Sequence, residues 1–225
     1  MAGDARLLYR SRHVTLPSVP SPRAEALNWR RFGNQGVLLD FDSGEIASRW
    51  CRAINESPLD ARARPGWRSV LVESTMSSGA LIEAISVLPL DAAAGSEANE
   101  VTIDVTYNGD DLDDVAAATS MSREEVIARH CAPTYTVVCL GFSRAFPYLF
   151  GLDPLLWLPR HDTPRVRVPG GSVAIAVDQA GIYPQTSPGG WHLLGHTNAV
   201  LFDPNRDQPS LLQPGDHVRF ARLSA

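Results

Sequence analysis

The sequence predicts an α+β protein in which a small α/β unit precedes a closed or nearly closed β-barrel. Three observations predict it. Residues 25–90 mix extended runs with two helical periodicities, residues 91–99 are small and polar, and from Tyr135 onward short β runs recur between Gly and Pro residues. Closely spaced short strands with frequent turn signals are the pattern of a barrel.

The elements follow in order. Residues 1–24 are rich in Arg, Ser and Pro without periodicity and read as a loosely ordered extension. Two extended runs between Leu27 and Phe41 flank Gly33-Asn34-Gln35-Gly36, a hairpin pattern. Ser43 is placed as an N-cap, and Ile46, Ala47, Trp50, Cys51 and Ile54 follow at helical spacing. Residues 67–73 read as a short strand. Leu81, Ile82, Ile85 and Leu88 mark a second helix ended by Pro89, so the unit over 25–90 is expected to run β-β-α-β-α. Residues 91–99 are the expected linker, and 100–225 the barrel domain. There Val101, Ile103, Val105 and Tyr107 alternate with polar residues as in a half-buried strand. Two short helices follow, the second opened by the capping-box pair Ser122 and Glu125. The expected β runs then fall at 135–141, 166–168, 171–177, 190–195, 199–202 and 216–222. The chain shows no internal repeat.

Composition narrows the function. Hydrophobic residues make up 44% of 225 residues, enough for a full core, and the formal net charge of −5 argues against nucleic acid or an anionic membrane as partner. No apolar run approaches the roughly 18 residues of a membrane span, and the first 25 residues have no apolar stretch typical of a secretory signal. Cys51, Cys131 and Cys139 form no CxxC and no even framework, which predicts a reducing, cytoplasmic setting. All 20 basic residues are arginines. Without lysine this chain has no Walker A phosphate clamp, pyridoxal Schiff base or biotinyl-lysine attachment.

Three groupings carry candidate chemistry. The glycine-rich stretches Val168-Pro-Gly-Gly-Ser172 and Gly181-Ile-Tyr183-Pro-Gln-Thr186-Ser187-Pro-Gly189-Gly190-Trp191-His192 can bring backbone N–H groups to an oxyanion. Ser172, Thr186, Ser187 and the Tyr183 phenol supply hydroxyls. From composition alone the same residues read first as barrel corners. His130 closes a helix, where it is either a cation suited to the helix dipole or a proton shuttle. Arg160 and Arg165, five apart in a Pro-flanked loop, are spaced to clamp a carboxylate or phosphate, or else to make surface ion pairs. His192 and His196 lie in a strand pattern with no nearby cysteine and no HExxH, so no metal site is expected. No GxSxG elbow supports a Ser-His-Asp triad.

Several spaced motifs occur in one order: Tyr107-Asn-Gly109-Asp-Asp111-Leu-Asp-Asp-Val115-Ala116, Glu125 to His130, Gly141-Phe142, Phe146-Pro-Tyr-Leu-Phe-Gly-Leu-Asp153, Pro159-Arg160, Pro164-Arg165, Val168-Pro-Gly-Gly-Ser172-Val, Gln179-Ala-Gly-Ile-Tyr183-Pro, Ser187-Pro-Gly-Gly-Trp191, and Pro214-Gly-Asp-His-Val-Arg-Phe220. Their order resembles the family of the B-type 5-oxoprolinase subunit (PxpB), KipI and allophanate hydrolase subunit 1, built on the carboxyltransferase domain, subdomain C and D. The likeness is strong over about 100–222 and weaker over 25–90. It implies a cyclophilin-like barrel and a larger KipA/PxpC-like carboxyltransferase partner subunit, with a PxpA-like third subunit in the 5-oxoprolinase version. It implies ATP as co-substrate of the assembled complex, because opening an unstrained lactam to glutamate needs coupling to ATP. A KipI-type inhibitor of a sensor histidine kinase and an allophanate hydrolase or urea-carboxylase-like subunit are the alternatives within the resemblance.

On this reading His130, Arg160, Arg165 and Tyr183 are the catalytic candidates. Gln179, Ser172, Ser187, Gly189 and Gly190 bind substrate, and the polar side chains His130, Arg160, Arg165, Gln179 and Tyr183 share one pocket. Three departures stand out: Arg144-Ala145 in place of Pro-Gly before Phe146, Pro65-Gly-Trp-Arg-Ser69 in place of P-A-Y-T-S, and Ile175-Ala-Val-Asp-Gln179 in place of I-A-G-x-Q. The first puts a bulky cation at a glycine turn and is expected to alter or block the pocket.

Overall fold

The computed structural model describes residues 27–34, 36–90 and 98–223. The expected extension over 1–24 and residues 91–97 of the expected linker lie outside the described residues.

The N-terminal elements are β1 (Asn28–Phe32), β2 (Gly36–Asp40), α1 (Gly44–Glu56), β3 (Ala61–Pro65), β4 (Ser69–Ser74) and α2 (Ser78–Ser86). The four strands form an antiparallel sheet in the order β1-β2-β4-β3. Ser43 caps α1, its hydroxyl accepting the Ile46 N–H at 3.2 Å. The core of this unit holds Val37, Leu39, Trp50, Ile54, Val70, Val72, Leu81 and Ile85, the apolar faces that periodicity marks. Strand β3 is not among the expected elements. Its inward side is only Ala61, Ala63 and Pro65, too small to register as an apolar stripe, and as an edge strand it tolerates proline.

The second part comprises β5 (Glu100–Val105), α3 (Leu112–Ala118), α4 (Arg123–Cys131), β6 (Tyr135–Gly141), β7 (Phe146–Phe150), β8 (Arg165–Val168), β9 (Ser172–Ala176), β10 (Gln179–Ile182), β11 (Ser187–Gly189), β12 (His192–His196) and β13 (His217–Arg222). Seven strands form one sheet in the order β12-β9-β10-β7-β6-β13-β5. Its two edges meet where Thr106, just beyond β5, pairs with His196 of β12 through two 2.9 Å backbone hydrogen bonds. The barrel is therefore nearly closed. Gly195 permits that seam, because a Cβ there would fall 2.4 Å from the Thr106 carbonyl oxygen. Strands β8 and β11 pair separately as a short ribbon. The capping box at α4 forms as expected, with Ser122 and Glu125 exchanging hydrogen bonds. The expected strand at 199–202 is reduced to one bridge between Phe202 and Ser210, in a segment broken by Pro204 and Pro209. Strand β10 is not among the expected runs; the run expected over 171–177 ends at Val177, which at φ +56° turns the chain back into β10.

Alternation along the strands sorts side chains to two sides. Val173, Ile175, Ala180, Ile182, Leu149 and Leu194 point into the barrel, where they join Tyr135, Val137 and Phe220. Ala174, Ala176, Phe146, Tyr183, Trp191 and Leu193 form a second cluster on the outer face. β9 and β10 are buried along their whole length because both of their sides are covered. The N-terminal unit leans on that outer face. The Trp67 ring lies 6.4 Å from Tyr148 and 6.3 Å from Phe150, Arg68 pairs with Asp178 at 3.0 Å, and Ser48 Oγ donates to the Val138 carbonyl at 3.1 Å.

Candidate functional site

The outer aromatic cluster opens into a cavity of ≈ 260 Å³. Phe142, Phe146, Tyr148, Tyr183 and Trp191 wall it, Pro188-Gly189-Gly190 forms one side, and Arg160 and His161 stand at it. The rings meet edge to face, with Phe146 centroids 5.2 Å from Tyr183 and 5.4 Å from Trp191. Two glycines make this packing possible. A Cβ on Gly181 would come within 2.9 Å of both Phe146 and Trp191, and one on Gly189 would lie 2.1 Å from the Tyr183 hydroxyl. Burial raises the Tyr183 phenol above its ordinary value, partly offset by a backbone hydrogen bond from Trp191 and by Arg160. Burial raises Tyr148 as well. Both phenols stay neutral and can donate. The Arg160 guanidinium sits 5.8 Å over the Trp191 ring, a cation–π contact that holds it beside the cavity.

Beneath this wall lies a polar cluster around Asp111, which is 2% exposed. Its Oδ2 accepts the Leu193 N–H at 2.7 Å, and its Oδ1 accepts Arg165 Nη2. His161 Nε2 stands 3.4 Å from Oδ2, within ion-pair distance but without hydrogen-bond alignment. Burial pushes the Asp111 carboxyl upward, and the Leu193 N–H together with Arg165 more than offsets it, so the group is held below the usual carboxylate range. The His161 and His192 rings lie 4.2 Å apart, and His192 Nε2 donates to the Pro159 carbonyl at 2.8 Å.

The cavity brings together Arg160, Tyr183, Gly189 and Gly190 of the expected site residues. The others part from it. Arg165 is turned to Asp111 and does not form a clamp with Arg160. Ser187 begins β11, its Oγ buried without a partner, and Ser172 pairs with His196 at the end of the β9–β12 ladder. Gln179 opens β10 beside Phe150, and Tyr183 lies four residues further along extended chain, roughly 13 Å away at about 3.3 Å per residue.

His130 is on the other side of the barrel wall. Its ring packs 4.4 Å from Phe220, its Nδ1 is 2.7 Å from Tyr107 Oη, and complete burial pushes its imidazole down to about 3. The single pocket expected for His130, Gln179 and Tyr183 is therefore corrected: α4 buries His130 against Phe220 and Tyr135, and Gln179 and Tyr183, on the same side of β10, stand at opposite ends of that strand. Arg144 does not block the cavity either. It lies 5.8 Å over the Phe202 ring, while Ala145 takes up the left-handed turn at φ +60°.

Sequence reading missed Asp111, His161 and Phe142 as site residues. Asp111 sits inside a recognised motif, and only the fold shows that it supports Arg165 and the Leu193 backbone. Among the described residues no helix is long and apolar enough to cross a membrane.

Residues 27–212 match the family model described as carboxyltransferase domain, subdomain C and D. A protein of Haemophilus influenzae, named as the B-type subunit of 5-oxoprolinase, is 49% identical over 127 residues, which is 55% of this chain and 60% of that protein. Another of that name, from Escherichia coli O157:H7, is 40% identical over 179 residues, covering 76% of this chain and 82% of its own length. The solved structure of a conserved uncharacterized protein from Pyrococcus horikoshii superposes with a TM-score of 0.54 at 32% identity, covering 88% of this chain and 98% of that one. The chain thus spans about three-fifths of the Haemophilus influenzae relative.

Proposed function

Since this chain belongs to the family of the carboxyltransferase domain, subdomain C and D, we propose that it is the B-type subunit of a heteromeric, ATP-dependent amide hydrolase that opens 5-oxoproline to glutamate. The observation that carries the reading is the outer cavity of ≈ 260 Å³, with apolar walls, neutral phenols and one guanidinium. A small cyclic amide bearing a carboxylate suits such a space. The ring lies against Phe146 and Trp191, Arg160 takes the carboxylate, and the Tyr183 hydroxyl donates to the amide oxygen, where charge develops as the bond opens. Gly189 leaves room for the Tyr183 hydroxyl, and Gly190 beside it gives the substrate a side-chain-free stretch of wall.

Arg165, held by Asp111, positions the β8–β11 ribbon and makes no phosphate clamp. ATP is co-substrate of the assembled complex, formed with the larger KipA/PxpC-like subunit and a PxpA-like third subunit, on a barrel we read as cyclophilin-like. Co-expression tests this. The complex should release glutamate from 5-oxoproline only with ATP present, and this chain alone should not. Glutamate formation by the isolated chain, or an assembled complex inert to 5-oxoproline but active on allophanate, would overturn it.

A further inference from the structure

Asp111, His161 and His192 come from three distant parts of the chain, yet each offers one donor atom within 4.8 Å of the other two. The state of those atoms is informative. His192 Nε2 faces the Pro159 carbonyl at 2.8 Å, and a carbonyl only accepts, so that nitrogen carries the hydrogen. In the neutral ring the lone pair is then on Nδ1, which is buried and has no hydrogen-bond partner. His161 Nε2 is likewise buried and makes no aligned hydrogen bond, its nearest charged neighbour being Asp111 Oδ2 at 3.4 Å. Two imidazole nitrogens without a hydrogen bond, clustered beside a buried carboxylate, are poorly satisfied as they stand, and unsatisfied buried polar atoms are rare. The surrounding contacts are those of a metal site's outer shell. A backbone carbonyl fixes one histidine's tautomer, and the Leu193 N–H and Arg165 orient the carboxylate.

We propose that Asp111, His161 and His192 form a binding site for a divalent transition metal of the zinc class, with an open coordination position toward the aromatic cavity. Two imidazoles and one carboxylate make the three-ligand set of open zinc sites, whereas Mg²⁺ and Ca²⁺ require an oxygen-rich shell. His161 belongs both to this cluster and to the cavity lining, so a metal held here would lie beside the cavity. Arg165 on the same carboxylate reduces the site's negative charge, so the affinity is expected to be moderate. His192 and His196, four apart in the sequence, do not act as a pair here. His196 turns to the Gly170 carbonyl at 3.1 Å.

The test uses the full chain alone, stripped with a chelator, so its result is independent of partners and turnover. It can fail while the hydrolase reading stands, and the reverse. Titration calorimetry with Zn²⁺ should show one equivalent bound, and Co²⁺ should give visible ligand-field bands. His161→Ala and His192→Gln should each weaken Zn²⁺ binding by roughly 10–100-fold or more, while His217→Ala leaves it unchanged. Circular dichroism confirms that each variant is folded. Absence of a stoichiometric Zn²⁺ isotherm would overturn the proposal, as would binding undiminished in the His161/His192 double variant, or Mg²⁺ binding as tight as Zn²⁺.

Discussion

Burying His130 as a neutral imidazole makes the stability of this protein pH-dependent in a way one substitution should remove. In the folded chain its imidazole is pushed down to about 3 by burial, against an unfolded value of about 6.5. Between those values the unfolded state binds a proton that the folded state does not. The contribution is therefore fully present above the unfolded value and is lost progressively as pH falls toward the folded one. At about pH 5 the environment is some 1.5 pH units below the unfolded value, and at about 1.36 kcal/mol per unit the loss is about 2 kcal/mol relative to about pH 8. That figure barely depends on how far below pH 5 the folded group titrates.

The perturbation is His130→Phe, which keeps a ring against Phe220 and Tyr135 and removes the titrating group. It leaves Tyr107 Oη with Cys131 Sγ at 3.1 Å as its remaining partner, so the variant is expected to be less stable at about pH 8, a difference that narrows as pH falls. The readout is the difference between the two pH values, in which that offset and all other titrating groups cancel. Urea unfolding at about pH 8 and about pH 5 should show a drop about 2 kcal/mol larger in the wild type than in the variant. Equal pH dependence in the two proteins would refute the buried, neutral assignment and reopen a proton-transfer role for His130.

Three further outcomes follow from the geometry. Ala145 occupies the left-handed region at φ +60°, so Ala145→Gly should raise stability by roughly 0.5–1 kcal/mol after the added freedom of the unfolded chain is counted, seen as a higher urea midpoint with unchanged slope. Gly189→Ala would place a Cβ 2.1 Å from the Tyr183 hydroxyl, and overpacking should cost about 1–3 kcal/mol and shrink the cavity, measured as lower stability together with lost turnover of the assembled complex. The two loop arginines should separate. Arg165→Met leaves the buried Asp111 carboxylate without its guanidinium and should cost roughly 2–3 kcal/mol, less than a fully buried pair because Arg165 is 30% exposed. Arg160→Ala should cost only about 0.5–1 kcal/mol, the worth of its contact with Trp191, while lowering turnover; denaturant curves of the two variants measured side by side decide this.

Much of the fold was legible in the chain because it rests on local rules. The hairpin about Gly33, the cap at Ser43, the stripe from Ile46 to Ile54 and the capping box at Ser122 depend on neighbours a few residues away, and each is found in the structure. The texture of short strands after Tyr135 announced a barrel because closing a sheet requires many corners. Arg160, Tyr183, Gly189 and Gly190 were reachable through motifs, since a glycine pair beside an aromatic marks a close backbone approach wherever it occurs.

Convergence of side chains is a different matter, decided by strand parity and by which segments the closed barrel lays over its outer face. His130 and Tyr183 look equally site-like in the sequence, yet the barrel wall stands between them, because His130 joins the interior with Tyr135 and Phe220 while Tyr183 joins the outer cluster with Phe146 and Trp191. Arg160 and Arg165 look like one clamp, yet the four residues between them are enough for Trp191 to hold one and Asp111 the other. Asp111, His161 and His192 share no spacing that periodicity could detect, since they are brought together across 81 positions of chain by the Leu193 hydrogen bond and the turn before β8. The sequence by itself determined the helices, many of the strands, and that this chain folds around a barrel, because backbone preference and apolar periodicity are written locally. Only the tertiary structure decided which of its polar residues face one another, because that depends on long-range pairing, where a shift of one residue in register sends a side chain to the opposite side of the sheet.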